Sequence, residues 1–114
     1  MRIRVIKRHA GEGVFPTFKR GTQVILGEET NHFPHWYACE IEGHRTYIAD
    51  AFVRDGRLSI DYNPTELVQE VGDILEVHEI VYDWFLAEND KGIKGWIPQE
   101  VVAKADDGDR RISR

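Results

Sequence analysis

The sequence predicts an all-β protein built as two small β-barrels in tandem, packed closely, with a short charged C-terminal tail. Three observations carry that expectation. Apolar and polar residues alternate in short runs: Ile3 and Val5 against Arg2 and Arg4, or Leu75 and Val77 after Gly72-Asp73. A period of two belongs to half-buried strands. Glycine, proline and polar clusters punctuate these runs, as loops and turns require. Finally, a set of residues recurs about 50 positions further on, the mark of an internal repeat. Trp36-Tyr37-Ala38-Cys39 answers to Trp84-Phe85-Leu86-Ala87, Tyr47-Ile48 to Trp96-Ile97, Val53 to Val102 and Gly21 to Gly72.

The elements follow in order. Met1 to Ile6 reads as a strand, and Lys7 to Phe18 as a loop carrying Gly11, Gly13 and Pro16. Gly21-Thr22 opens a strand through Val24 and Leu26, and Gly27 to His35 is a polar loop. Trp36 to Ile41 forms the next strand, Glu42-Gly43-His44 a tight hairpin, and Arg45 to Ile48 the return. A turn at Ala49-Asp50-Ala51 leads to a last short strand at Phe52-Val53. The second copy repeats the scheme, with Gly92 at the matching hairpin; at least one of Gly43 and Gly92 is expected at positive φ. The expected barrels are residues 1–53 and 58–102, and 103–114 is expected to be a disordered tail with Asp106, Asp107 and Asp109 solvated. Only Arg54-Asp55-Gly56-Arg57 joins the copies. A linker of about four residues spans at most roughly 14 Å, so the barrels are expected to touch. Contact would also help two cores that are marginal alone at this size.

Composition bounds the function. The chain has 114 residues, 41% hydrophobic and 31% charged, which fits a soluble globular protein. A formal net charge of -5 argues against nucleic acid as a partner. Cys39 is the single cysteine, so no intramolecular disulfide forms and a reducing compartment fits. The start of the chain lacks the apolar stretch of a secretory signal, and no run is long enough to cross a membrane. Cytoplasmic location is therefore expected. His9, His32, His35, His44 and His78 are scattered, with only His32 and His35 close together, which does not suit a metal site. Cys39 stands where the other copy has Ala87, so it reads as a packed thiol rather than a nucleophile. Phosphate loops and nucleophile elbows are absent. Neither catalysis nor a cofactor is expected.

The stretch 58–102 holds an ordered set of blocks: Ile60-Asp61-Tyr62, then Glu66-Leu67, then Gly72-Asp73, then Trp84-Phe85-Leu86-Ala87, and finally Gly95-Trp96-Ile97-Pro98 leading to Val101-Val102. This order resembles the Src homology 3 (SH3) family, whose blocks are Ala-Leu-Tyr-Asp-Tyr, acidic-Leu, Gly-Asp/Glu, Trp-Trp-x-Ala and Gly-x-x-Pro-x-x-Tyr-Val. The resemblance covers about 45 residues, and it makes residues 1–53 a degenerate copy of the same barrel. Family members hold a proline-rich peptide, already extended, in a shallow aromatic groove. By position, the resemblance implies that Tyr62, Trp84 and Pro98 line the groove and that Glu66 meets a basic ligand side chain. In the first copy, Trp36 and Phe52 match groove positions, and Ala49 replaces the proline. Ile60 and Val101 stand where the family has two further groove tyrosines.

Each of these residues also has a packing reading. Trp36 and Trp84 open strands after polar loops, which suits either binding aromatics or barrel-rim packing. Trp96 and Tyr47, which alternation points to the face opposite Ile97 and Ile48, read as covering the core or the contact between the barrels. Tyr62 fits groove or core, and Glu66 fits ligand contact or plain solvation. The function expected is a non-catalytic adaptor or scaffold that binds a peptide or protein segment through such a groove. The alternative is a structural accessory module or subunit with the groove covered. Nucleic-acid binding and an exported wall-binding role fit the charge and the chain start less well.

Overall fold

The computed structural model describes residues 1–105; the expected tail from 106 to 114 lies outside them. The described chain is all-β, with ten strands, two short 3₁₀ turns and no α-helix. It divides into two compact units. The first joins Met1–Glu12 to the chain from Glu66 onward, and the second is Gly13–Thr65. These are not the boundaries expected from the repeat.

The first unit is a five-stranded antiparallel sheet in the order β10-β1-β7-β8-β9. Its strands are β1 (Arg2–Val5), β7 (Ile74–Val81), β8 (Trp84–Glu88), β9 (Lys94–Pro98) and β10 (Val102–Lys104). Ala103 and Lys104, expected in the tail, are paired strand residues facing Arg4 and Ile3. The alternation read at Ile3 and Val5 holds: both are buried while Arg2 and Arg4 are exposed. They pack with Leu67, Leu75, Phe85, Ala87, Ile97, Val101 and Val102. Burial of such side chains is worth about 1.5–3 kcal/mol each, so β1 is part of this unit's core. A 3₁₀ turn at Gln99–Val101 links β9 to β10, and Gln99 N–H donates to the Asp83 carbonyl.

The second unit has a three-stranded sheet of β2 (Ile25–Glu29), β3 (Trp36–Ile41) and β4 (His44–Ala49), and a two-stranded ribbon of β5 (Val53–Arg54) and β6 (Arg57–Leu58). The 3₁₀ turn Asp50–Phe52 joins β4 to β5. Buried residues of this unit include Phe18, Val24, Trp36, Cys39, Ile41, Thr46, Ile48, Ala49, Phe52, Leu58 and Tyr62. Gly27 to Glu29, expected in the polar loop, extend β2 instead. Among the described residues every sheet is open, so neither unit closes into a barrel.

The supposed linker is a hairpin. Asp55 and Gly56 lie at φ of 53° and 74° between paired Arg54 and Arg57. Positive φ at both central residues is the pattern of a type I′ turn, for which Asp-Gly is a preferred pair. The turn folds residues 57–62 back onto the unit that precedes them. Glu42 and Gly43, at φ of 50° and 81°, make the same kind of turn between β3 and β4. Gly92 is also at positive φ, 79°, where positive φ was expected of at least one of the two glycines.

A β-carbon at residue 43 meets no atom within 4 Å, so strain there comes from φ alone. Gly43→Ala is expected to cost on the order of 1 kcal/mol, read from the denaturant midpoint. An unchanged midpoint would place the turn elsewhere.

Candidate functional site

The first unit brings together three of the six residues singled out by sequence. Trp84 opens β8 and lies directly across from Pro98 on β9. Trp84 is half-buried and Pro98 is buried. Glu66 stands at the start of the same unit and pairs with β9 through an isolated bridge to Trp96.

A fourth residue completes the group, and sequence reasoning missed it. His9 Nε2 donates to Glu66 Oε1 at 2.8 Å, with side-chain exposures of 16% and 14%. The His9 ring also stands edge-on to the Trp84 indole, with centroids 6.1 Å apart. His9 is fixed by its backbone, which exchanges two hydrogen bonds with Gln69. Gln69 is buried, but its amide is occupied: it donates to Asp73 and accepts from Asn89. The only sequence signal for His9 was an isolated histidine in a presumed loop of the other copy. Nothing in its spacing pointed to Trp84.

Glu12 adds charge. Its pKa is raised above the ordinary 4.5, first by loss of hydration and then by the Glu66 carboxylate, with His9 partly offsetting both. Gly11 sits tightly against Glu66: a β-carbon there would come within 3.2 Å of the Glu66 β-carbon. The arrangement is an aromatic face with a proline across from it, a hydrogen-bonded His–Glu pair at its edge, and one carboxylate in a setting that disfavours its ionised form. A group carrying positive charge would relieve that setting.

The other three residues are placed elsewhere. Tyr62 belongs to the second unit. It is 3% exposed, and its hydroxyl donates to the Tyr47 carbonyl at 2.6 Å. Its ring lies 5.5 Å from that of Phe52, tilted by 48°. Phe52 is 8% exposed and Trp36 4%. Trp36 does sit across from Ala49, as Trp84 does from Pro98. In this unit, however, the aromatic residues fill the core. The packing reading therefore fits Tyr62, Phe52 and Trp36. Trp96 is buried as expected, while Tyr47 is partly exposed. Val101 is in the core of the first unit.

Cys39 is buried, and loss of hydration pushes its thiol up to about 11. Such a thiol is almost wholly protonated at neutral pH and a poor nucleophile. A cleft of about 410 Å³ in the second unit is lined by Thr22, Gln23, Ile25, Glu40, Glu42 and Gly43, with no aromatic wall. Among the described residues, no three His, Cys, Asp or Glu side chains are arranged to hold a metal ion. Among the described residues, no helix is long and apolar enough to cross a membrane. Comparison of the chain with protein-family models, with curated proteins and with solved structures gives no match.

Two outcomes check this description. Because Glu12 has a raised pKa, folding favours its protonated form. That contribution is full below the ordinary carboxylate range and is lost as pH rises through the raised value. Glu12→Gln is therefore expected to raise the melting temperature at pH 7 and to have no effect below about pH 4. A loss of stability at pH 7 would contradict the assignment. Cys39 is expected to react with iodoacetamide at least tenfold more slowly in the folded protein than in denaturant; equal rates would mean the thiol is accessible.

Proposed function

We propose that the chain is a non-catalytic interaction module whose first unit binds an extended peptide or protein segment carrying a basic side chain. The observation that carries this reading is Trp84, half-buried across from Pro98 with Glu66 and His9 at its edge. A half-buried tryptophan offers a flat apolar face, a common feature of binding hot spots. The nearby Glu12 carboxylate, exposed but partly dehydrated and beside Glu66, favours a cationic neighbour. The reading keeps the SH3-like assignment as a proposal. In its favour are the Trp84–Pro98 pairing, the 3₁₀ turn after β9, and the matching arrangement in the second unit. A net charge of -5 favours a protein ligand over nucleic acid, and the lone reduced-type cysteine suits the cytoplasm.

The second unit takes the structural role in this proposal. Its equivalent tryptophan, Trp36, is buried, and Tyr62 and Phe52 pack against each other. Its aromatic positions are spent on the core, which favours an accessory module without an open groove.

An array of extended peptides with and without Arg or Lys, titrated by tryptophan fluorescence, tests the assignment. Trp84→Ala is expected to weaken capture by about 2 kcal/mol or more, with Trp84→Phe intermediate. Binding is expected to weaken as pH falls through the Glu12 titration and as salt rises. Trp36→Ala is expected instead to lower stability by about 3–5 kcal/mol. Capture unaffected by Trp84→Ala in a folded protein would remove this face from the function.

A further inference from the structure

The two units are equivalent at the level of individual backbone hydrogen bonds. In the first unit, Gly72 N–H donates to the Val5 carbonyl and Val5 N–H donates to the Asp73 carbonyl. In the second, Gly21 N–H donates to the Leu58 carbonyl and Leu58 N–H donates to the Thr22 carbonyl. Val5 lies across from Val102, and Leu58 lies across from Val53. Four residues on, His9 exchanges a pair of hydrogen bonds with Gln69, and Tyr62 exchanges the same pair with Phe18. The segment 1–12 in the first unit therefore has the place that 55–65 has in the second. Yet the repeat pairs Trp36, Val53 and Gly21 with Trp84, Val102 and Gly72. In a simple tandem, 1–12 would lead 13–54 and 55–65 would lead 66–105.

We propose that the chain is a tandem repeat whose two leading segments are exchanged, that the Asp55-Gly56 turn holds the exchange, and that the exchange decides whether His9 or Tyr62 stands beside Trp84. A two-residue connection leaves Arg57 no choice but to pair with Arg54. Segment 55–65 then fills the leading position against 13–54. Segment 1–12 is excluded from it and completes the sheet built by 66–105. Were the segments to return, each would arrive on a body offering the same hydrogen-bonding groups. Tyr62 would then replace His9 next to Trp84 and Pro98, an apolar aromatic wall in place of a His–Glu pair. Side chains distinguish the two states: His9 meets Glu66, while Tyr62 meets Phe52 and the Tyr47 carbonyl. The exchange stands on backbone geometry; only its consequence for the ligand rests on the proposed binding face.

The test uses full-length protein with Cys39→Ala and paired cysteines. Arg4→Cys with Ala103→Cys reports the exchanged state, because these residues face each other in the ladder, and directly opposed residues on paired strands suit a disulfide. Arg4→Cys with Arg54→Cys reports the returned state, since Arg54 holds in the second unit the place of Ala103. With the native turn, only the first pair is expected to oxidise. With eight Gly and Ser residues inserted after Gly56, the share of the Arg4–Arg54 product is expected to rise at least tenfold, with tryptophan fluorescence still that of a folded protein. A second variant, Asp55→Pro with Gly56→Pro, forbids positive φ and is expected to shift the products the same way. The exchange is overturned if the native turn yields the Arg4–Arg54 product. The role of the turn is overturned if the lengthened chain still yields the Arg4–Ala103 product alone, or if it unfolds. Peptide binding enters neither readout, so loss of the binding proposal would leave this result standing.

Discussion

The turn at Asp55-Gly56 constrains everything downstream. Both residues lie at positive φ, a conformation that glycine adopts freely and aspartate tolerates better than most. A tight turn fixes register as well as direction. Arg57 must face Arg54, and Leu58 must face Val53. From there Leu58 enters the core of the second unit, and Tyr62 follows it. The chain then reaches Glu66 with one leading position already filled. The first unit is completed by the residues that the chain began with.

That topology makes β1 an interior strand rather than an edge. It pairs with β10 on one side and β7 on the other. Ile3 and Val5 are essentially inaccessible to solvent, and unpaired backbone groups in such a position would be costly. The two ends of the described chain are therefore tied into one sheet. Contacts so distant in sequence carry a large loop-closure cost before they are rewarded.

The same constraint sets the chemistry around Trp84. The indole shares its surroundings with His9, delivered by the first segment, and with Glu66, delivered where the chain enters the body of the unit. A His–carboxylate hydrogen bond with both partners largely buried holds the edge of this face in one geometry. Glu12 stays more exposed and less favourably solvated, with its ionised form disfavoured by Glu66. Charge and apolar surface thus meet at a face assembled from three separate stretches of chain.

Sequence alone determined the strand class and several local geometries. Alternation at Ile3 and Val5, the positive φ at the Gly43 and Gly92 turns and the buried Cys39 all depend on neighbours within one hairpin or one strand. Local periodicity and turn chemistry are sufficient for those. Asp55-Gly56 was also legible as a hairpin signal, but with four residues between two repeats it read as a linker. Tertiary structure alone decided which segment completes which sheet. Two leading segments that offer equivalent hydrogen bonds cannot be assigned by pattern, because either satisfies the same backbone. The choice depends on a steric fact about one turn and on which position it fills first. For that reason Tyr62 fell in a core while His9, without any signal of its own, came to rest beside Trp84.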